Sequence, residues 1–260
     1  MVYVAIYVDD VLVFSSDKKA TQRIKIELSS KFKMNDMGSA SSVLGMSVQR
    51  DEVKKLIKLD QSEYISSVLK RFGMDECNAV ATPLDLSQKL TLEMCPKTEE
   101  EKKEMEKVPY MEAVGNLLYA AQNTRPDNSF AVNLLNRFSQ NPGKWHWLAL
   151  KRVMRYLKVT VSKGIVFRKS AKSLTGYCDA DWAGDLDQRQ STSGYVFIMQ
   201  GAAISWSSHR QRTVALSSTE AEFNICSERN ARSDLVTFAI WLHLVGTSSW
   251  WYRRNKNVLR

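Results

Sequence analysis

The amino-acid sequence predicts an α+β fold, and three observations lead to that prediction. Runs rich in β-branched and aromatic residues occur in pairs separated by short turns, which is typical of β-hairpins. Each of the first two pairs is followed by a segment with apolar residues at helical spacing. Residues 109–158 show helical patterns only, and strand patterns return from Gly164 onward. Hairpins and helices therefore occur in blocks, unlike the regular βαβ units of a parallel sheet.

The composition is that of a globular, basic protein. The 260 residues include 37 Lys and Arg against 28 Asp and Glu, which gives a net charge of +9. This balance favours a polyanionic partner such as nucleic acid. The cysteines are widely scattered and form no zinc or disulfide framework, which predicts an intracellular, reducing compartment, either nucleus or cytoplasm. No apolar run approaches the length of a membrane span, and the first residues lack a signal-peptide pattern.

The first predicted hairpin carries two adjacent acids. Strand-like runs lie on both sides of Asp9 and Asp10, which places the acids at the turn between two strands. Adjacent carboxylates among apolar residues are unfavourable unless a cation neutralises them. Mg²⁺ binds such oxygens together with substrate phosphates. The two acids are therefore candidate Mg²⁺ ligands, and a solvent-facing Asp-Asp turn is the structural alternative.

Three further elements complete this first block. Ser16-Asp17 is a predicted N-cap for a helix that continues to about residue 32. The predicted buried stripe of this helix consists of Ala20, Ile24, Leu28 and Phe32. Residues 42–48 and 55–59 form a second predicted hairpin. A helix over about residues 61–72 follows and ends at Gly73.

The middle of the chain is predicted to be helical. Residues 97–107 are a run of mixed charge that predicts a solvated loop or a frayed helix. Helices follow over about 110–122, 125–139 and 144–158. The third has an apolar face for packing and a second face with four cations, Lys144, Lys151, Arg155 and Lys158. Cations one or two turns apart can follow a phosphate backbone, so these are candidate nucleic-acid contacts, with an ordinary solvated face as the alternative.

Strand patterns and acids return in the last third. Strands are predicted around 165–167, 174–178, 194–199 and 202–206, and a long helical stretch covers about 217–244. Asp179 lies at the end of a strand and Glu222 near the start of the helix, so the two are candidates for a metal site that cleaves phosphodiesters. Asp181, Asp185 and Glu220 are interpreted as loop or surface acids. Residues 246–260 show no periodicity, and no fold is assigned to them.

Several short motifs together resemble one family. Tyr7-Val8-Asp9-Asp10 resembles the catalytic hairpin of reverse transcriptases. Other motifs follow along the chain in this order: Leu44-Gly45, Thr82-Pro83, Pro109-Tyr110, Val114-Gly115, Thr124-Arg125-Pro126-Asp127, Asn141-Pro142-Gly143, Asp179 to Gly184, Ser191 to Tyr195 and Ser217 to Glu222. With this order and spacing, residues 1–245 are similar to the C-terminal part of the Pol polyprotein of copia-type LTR retrotransposons, from the later reverse transcriptase region to the start of ribonuclease H.

The resemblance implies a modular organisation and a set of roles. The implied modules are a partial reverse-transcriptase palm (1–84), a charged linker (85–108), a helical thumb or connection module (109–160), a truncated ribonuclease H-like sheet with one long helix (161–245) and an unrelated tail (246–260). Asp9 and Asp10 match the polymerase metal ligands, and Asp179 and Glu222 match ribonuclease H acids. The implied cofactor is Mg²⁺, and the implied partner is a primer–template duplex or an RNA–DNA hybrid.

The family pattern also includes residues that these 260 do not supply. The polymerase site of the family uses a further Asp from an earlier palm strand, and the nuclease site uses a further Asp from a later strand. We therefore expect both acidic sites to be incomplete and the chain alone to be a catalytically impaired fragment. A non-enzymatic module that binds duplex or hybrid is the alternative. The opening hairpin is expected to expose an apolar edge, which makes the isolated chain prone to aggregation.

Overall fold

The computed structural model describes residues 2–85, 87–169, 173–231 and 249–254. The chain divides into two compact units, one formed by residues 1–44 and 234–260 and the other by residues 45–233. This division differs from the predicted module boundaries, which rest on the family resemblance and stay predictions. The mixture of helices and antiparallel sheets that the sequence predicts is confirmed.

The first unit is an antiparallel sheet with a helix packed against it. Its elements are β1 (Val2–Tyr7), β2 (Asp10–Ser15), α1 (Lys18–Lys31), β3 (Met34–Ser39), a short β4 (Ser42–Val43) and β11 (Ser249–Arg254). The strands lie in the order β1-β2-β11-β3. Asp17 caps α1 as predicted, because its Oδ1 accepts a hydrogen bond from the Lys19 backbone N–H at 2.8 Å.

Strand β11 corrects the interpretation of the C-terminal segment, to which the sequence assigns no fold. Its backbone lies between β2 and β3 and pairs antiparallel with both, with Trp251 opposite Leu12 and Tyr252 opposite Asp36. A short segment without alternating polar and apolar residues gives little strand signal of its own. Its structure is determined by the backbone groups that β2 and β3 present to it.

The buried residues of α1 are Thr21 and Lys25, whereas Ala20, Ile24 and Leu28 of the predicted stripe are partly buried. Ile24 and Leu28 pack against Val11 and Val13 of β2, as the helical spacing predicts. The prediction is wrong for Phe32, which is 53% exposed. The helix ends at residue 31, and Phe32 has extended backbone angles (φ −132°, ψ 143°), so it no longer follows the helical periodicity.

The second unit contains a sheet with strands in the order β5-β6-β7. These strands are β5 (Met46–Asp51), β6 (Leu56–Asp60) and β7 (Gly164–Arg168), and α2 (Ser62–Arg71) follows β6. The second predicted hairpin is confirmed as β5–β6. Strand β7, grouped by the sequence with the later strands, pairs instead with β6, where Ile165 lies opposite Leu59. Gly73, with φ of +62°, follows the end of α2 as predicted.

The core of the second unit is helical. It is built by α2 with α4 (Tyr110–Asn123), α5 (Ser129–Asn136) and α6 (Lys144–Val159). The central side chains are at most 1% exposed: Val114, Leu117, Val132, Leu135, Leu150 and Met154. Each such side chain stabilises the folded state by roughly 1.5–3 kcal/mol relative to full exposure. The three predicted helices are confirmed, although the second begins later because Pro126–Asn128 form a 3-10 turn.

The run of mixed charge before this core contains a short capped helix. It is α3 (Glu99–Glu106), and no residue of α3 is buried. Thr98 and Glu101 form a capping box, in which each side chain accepts a hydrogen bond from the other residue's backbone N–H. The segment is therefore a solvated helix with a defined start.

A second sheet lies in the same unit. Its strands β8 (Thr175–Ala180), β9 (Thr192–Met199) and β10 (Ala202–Arg210) lie in the order β10-β9-β8, and α7 (Ser218–Ala231) packs on β8 and β9. The predicted strands are confirmed, and so is the predicted helix as far as Ala231. Its predicted remainder, 232–244, lies outside the described residues. In the part of the chain that the structure describes, no helix has the length and apolar character needed to cross a membrane.

Candidate functional site

Asp9 and Asp10 lie at the tip of the β1–β2 hairpin, as the sequence predicts. Tyr7 pairs directly with Asp10, so Val8 and Asp9 form a two-residue turn. Val8 has a φ of +50°, a left-handed conformation that is unfavourable for a β-branched residue. Tight hairpin turns require such a positive φ because it matches the twist of the two strands. The turn therefore keeps two carboxylates on adjacent residues at the end of a paired strand.

Strand β2, which begins at Asp10, is packed against the rest of the unit through its alternate residues. Val11 and Val13 are buried, and α1 packs against them through Ile24 and Leu28. Successive strand residues project from opposite faces of a sheet. Asp10 therefore projects from the face opposite to α1, and both Asp9 and Asp10 are partly accessible to solvent.

The donor chemistry of this pair fits a hard divalent cation. Carboxylate oxygens are the ligands that Mg²⁺ prefers, and many Mg²⁺ sites use one or two protein carboxylates and complete their shell with water and substrate phosphates. In the described ranges, no group of three or more His, Cys, Asp or Glu side chains is arranged to hold a metal ion. Asp9 and Asp10 can thus supply part of a coordination shell, with phosphate oxygens and water as the other ligands.

The second predicted acid pair lies on β8 and α7. Cys178 of β8 contacts Cys226 of α7, with the two sulfur atoms 3.7 Å apart. Because neighbouring strand residues alternate between faces, Asp179 projects from the face of β8 opposite to the one that Cys178 presents to α7. Glu222 is an exposed residue of α7 itself. A metal site shared by Asp179 and Glu222 would require both carboxylates on the sheet face next to α7. The joint role of the two acids stays a prediction.

Asp181 and Glu220, which lie near Asp179 and Glu222 in the sequence, form hydrogen bonds that stabilise the local backbone. Asp181 accepts a hydrogen bond from the backbone N–H of Thr192. Glu220 accepts one from the backbone N–H of Leu216 at 2.7 Å, just before the start of α7. Both observations agree with the interpretation of these residues as loop and surface acids.

Asp185 is also a loop residue, but it is buried rather than solvated. The Asp185 side chain is 2% exposed, and its carboxylate forms ion pairs with Arg137 and with Arg210, the latter at 2.8 Å. Burial acts to raise the pKa of Asp185, but the hydrogen bonds from Arg210 and Arg137 outweigh it and hold the pKa below its ordinary value. Asp185 therefore ties the end of α5 to β10.

The four predicted nucleic-acid contacts on α6 have different environments. Arg155 donates from Nε to the Asn78 carbonyl at 2.6 Å, and Lys158 donates from Nζ to the Cys77 carbonyl at 2.9 Å. Lys151 lies over the Trp147 ring, 5.2 Å from its centroid. Lys144 is exposed. Two of the four cations thus hold the segment that follows α2, a role that the spacing of charges alone does not indicate.

A cleft of about 420 Å³ lies beside α6, and no motif in the sequence indicates it. Its walls include three partly exposed apolar side chains, Phe130, Trp145 and Leu148. Its cations include Arg152, whose Nη2 donates to Thr82 Oγ1 at 3.0 Å and whose buried Nε has no hydrogen-bond partner in the described structure. Trp145, Leu148 and Arg152 are spaced by three and four residues, so helical spacing could have shown that they share a face.

The hairpin and its surroundings define a class of protein. A family model described as reverse transcriptase (RNA-dependent DNA polymerase) matches residues 1–86, which contain the hairpin with Asp9 and Asp10. Comparison with solved structures gives no match.

Similar curated proteins narrow the class to one family. The chain is 47% identical over 223 residues to the retrovirus-related Pol polyprotein from transposon TNT 1-94 of Nicotiana tabacum, covering 86% of this chain and 17% of the relative. It is 39% identical over 236 residues to the corresponding polyprotein from transposon RE2 of Arabidopsis thaliana, covering 90% and 16%. A putative transposon Ty5-1 protein of Saccharomyces cerevisiae is 34% identical over 229 residues, covering 87% and 72%.

The chain belongs to the family of copia-type retrotransposon Pol polyproteins, and its ancestry is that of a reverse transcriptase. It spans about a sixth of the length of the two plant polyproteins.

Proposed function

We propose that this chain is a segment of an RNA-directed DNA polymerase in which Asp9 and Asp10 hold Mg²⁺ for nucleotidyl transfer. The observation that supports the proposal most directly is the position of both acids at the tip of a tight hairpin, within the residues that match the reverse transcriptase model. When bound, the cation would neutralise charge on the phosphates of the nucleotide. The contribution of the chain is to hold two adjacent carboxylates at the end of a fixed strand pair, with Asp10 projecting away from α1.

The finer assignment of modules belongs to the same proposal. Residues 1–84 would derive from the palm, residues 109–160 from a thumb or connection module and residues 161–245 from ribonuclease H. The 260 residues alone would have little polymerase activity, because phosphoryl transfer depends on the placement of several charged groups around the phosphate. Two adjacent carboxylates supply only part of that arrangement.

Cation binding at the hairpin can be measured without activity. Mn²⁺, a paramagnetic substitute for Mg²⁺, is expected to broaden the backbone NMR signals of residues 7–12 at low concentration. Asp9→Asn and Asp10→Asn should abolish that broadening. Asp75→Asn is the matched control, since Asp75 and Glu76 are also adjacent, exposed acids. Broadening that survives both hairpin variants would contradict the assignment of these ligands.

Primer extension with Mg²⁺ tests separately whether the chain alone has little polymerase activity. The purified 260-residue chain is expected to extend a primer on an RNA template barely above background. Robust extension that Asp9→Asn abolishes would support the polymerase assignment but overturn the proposed impairment. Robust extension that Asp9→Asn leaves unchanged would show a contaminating polymerase.

For the last part of the second unit, we propose a ribonuclease H origin with Asp179 and Glu222 as remaining acids. The proposal is supported by the order of the motifs and by the packing of α7 on β8 and β9. The chain alone is expected to cleave the RNA of an RNA–DNA hybrid weakly or not at all. Strong cleavage of the hybrid by the wild-type chain that is lost in Glu222→Gln would show that this site is active. That result would contradict the proposal that the site is impaired.

A second candidate function is a binding module for nucleic-acid duplexes or hybrids without catalysis. The cleft beside α6 favours it, because an aromatic side chain next to cations is the combination that stacks on bases and contacts phosphates. Trp145 and Arg152 would be its central residues, with Lys144 and Lys151 at nearby positions on α6. Arg155 and Lys158 are less suited to this role because each already donates to a backbone carbonyl.

Salt-dependent binding distinguishes this candidate from the enzyme. The affinity for a labelled RNA–DNA hybrid is expected to fall linearly with salt on logarithmic axes. Lys151→Glu and Arg152→Glu should weaken binding and reduce the slope, and Trp145→Ala should weaken it by roughly 1–3 kcal/mol if a base stacks there. Lys103→Glu on the solvated helix α3 is the charge-matched control. Binding that responds equally to all three charge reversals would exclude a specific site on α6.

A further inference from the structure

Two cysteine side chains meet where α7 packs on the second sheet. The Sγ atoms of Cys178 on β8 and Cys226 on α7 are 3.7 Å apart, although the residues are 48 positions apart in the sequence. Cys178 is half-buried and Cys226 is exposed. The remaining two cysteines, Cys77 and Cys95, lie elsewhere and pack against the helical core.

The strand register and the helix face together produce this contact. Cys178 lies directly opposite Tyr195 of β9, so the two share the sheet face that α7 covers. Ala221 and Ile225 of α7 are 0% and 1% exposed and form the centre of the helix contact. Cys226 follows Ile225 and therefore lies at the rim of that contact, where one thiol of the pair is open to solvent.

The two sulfur atoms are in van der Waals contact at 3.7 Å. A disulfide has a sulfur–sulfur distance of about 2.05 Å, so the two sulfur atoms must approach by roughly 1.7 Å.

We propose that Cys178 and Cys226 form a redox modification site, which a small-molecule disulfide such as glutathione disulfide converts into an intrachain disulfide. The exposed Cys226 sulfur attacks one sulfur of glutathione disulfide, which forms a mixed disulfide and releases one reduced glutathione. Cys178 then attacks the Cys226 sulfur and releases the second reduced glutathione. The two cysteines lose two electrons and two protons in total, and the two glutathione molecules gain them.

The modification would fix α7 to β8. The cross-link joins two positions 48 residues apart, and closing a loop of this length restricts the unfolded chain more than the folded one. Oxidation is therefore expected to raise the thermal unfolding temperature of the protein and to slow amide exchange in α7. This site lies outside the roles proposed for the acids, and its test does not depend on nuclease or polymerase activity.

The experiment uses the complete chain treated with glutathione disulfide. We expect titratable thiols to fall from four to two, with four being the cysteine content of the sequence, and a non-reduced digest to contain a peptide that joins Cys178 to Cys226. Cys226→Ser should prevent this cross-link, whereas the matched variant Cys77→Ser should retain it. Phenylarsine oxide, which bridges neighbouring thiols, should block the oxidation of the wild-type chain.

Two results would overturn the proposal. One is a wild-type digest in which Cys226 carries glutathione but no peptide is joined to Cys178. The other is a set of cross-links between chains or to Cys77 or Cys95 in place of the predicted one. Because both are read from the wild-type protein, the test stands even when a variant fails to fold.

Discussion

Arg125 shows how a charged residue of a family motif serves the fold of the second unit. Its side chain is 1% exposed, and it donates from Nε and Nη2 to the Asp127 carboxylate at 3.0 and 2.8 Å. Nη1 donates to the Thr160 carbonyl at 3.0 Å, at the end of α6. Tyr156 completes the group by donating its hydroxyl to Asp127 at 2.8 Å. The motif at 124–127 therefore joins the α4–α5 connection to α6.

Substitution of Arg125 tests this role. Arg125→Ala is expected to lower the free energy of unfolding by about 3–5 kcal/mol, because it removes the cation that donates two hydrogen bonds to the Asp127 carboxylate and two to Thr160. Urea denaturation followed by circular dichroism measures the change. Arg212→Ala, at an exposed arginine, is the control and should change the free energy by less than about 0.5 kcal/mol. Equal effects of the two substitutions would show that the Arg125 group does not stabilise the unit.

His146 gives the protein a pH-dependent stability. The ring is 0% exposed and stacks on Phe138 at 3.9 Å. Its Nδ1 accepts a hydrogen bond from the Gly143 backbone N–H at 2.9 Å, so Nε2 carries the proton and donates to the Thr91 carbonyl at 3.2 Å. Burial lowers the pKa of His146 and outweighs the opposing effects of Thr91 and Asp187. The neutral imidazole is therefore the form that the folded state prefers.

The sign of the pH effect follows from that lowered pKa. The unfolded chain takes up the proton near the ordinary histidine pKa of about 6.5, before the folded chain does. The stabilisation is complete above that pH and is lost as the pH falls toward the folded-state pKa, by at most about 1.4 kcal/mol per pH unit. Urea midpoints at pH 7.5 and 5.5 measure it. His146→Gln should show a smaller difference between the two midpoints, and an unchanged difference would assign the effect to another group.

At the scale of elements, β11 closes a gap in the sheet of the first unit. Its backbone pairs with β2 on one side and β3 on the other. Removing residues 249–260 is expected to speed amide exchange in β2 and β3 by about tenfold or more, since a lost interstrand bond network exposes these amides to water. Hydrogen exchange followed by mass spectrometry measures the change.

A shorter truncation provides the control for β11. Removing only residues 255–260 keeps the strand, so exchange in β2 and β3 should match that of the full chain. Exchange in β5 and β6 should be the same in all three proteins, since these strands belong to the other unit. Protection of β2 that persists without residues 249–254 would show that β11 does not stabilise this sheet.

Local signals explain which elements were predictable from the sequence. Asp17 and Gly73 mark helix ends through short-range interactions, and Gly143 marks the start of α6. Gly143 is also required for a long-range reason that the local pattern does not show, because an added Cβ would lie 1.8 Å from the Met94 carbonyl oxygen. The Asp9-Asp10 turn was predictable from local signals too, because strand patterns on both sides restrict the acids to the tip.

Long-range pairing explains what the sequence did not predict. The partner of β7 is β6, about a hundred residues earlier in the chain, and no local pattern in 164–168 indicates that choice. The same limit applies to β11. On α6, the spacing of Arg155 and Lys158 predicted a free basic face, but their hydrogen bonds go to carbonyls at residues 77 and 78 that only the folded chain brings near. Side-chain spacing shows which residues share a face, but not what covers it.

At the scale of the whole molecule, we expect the edge of the first sheet to limit solubility. Strand β1 pairs only with β2 in the described sheet, so its other side is an edge. Ile6, Tyr7 and Val8 are 72%, 61% and 81% exposed at this edge and its turn. An edge with exposed apolar side chains can pair with the same edge of another copy. The net charge of +9 opposes such association only at low salt, where repulsion is weakly screened.

Ile6→Lys tests whether this edge causes association. A lysine on an edge strand hinders strand pairing with a second chain, so the variant should stay monomeric at several-fold higher concentration than the wild type in sedimentation velocity at 0.15 M salt. The charge-matched control is Val53→Lys, since Val53 is 92% exposed but lies in a turn rather than on a strand edge. Both variants add one positive charge, so an equal gain in solubility would assign the effect to net charge. A gain confined to Ile6→Lys would assign the effect to the exposed side of β1, next to Asp9 and Asp10.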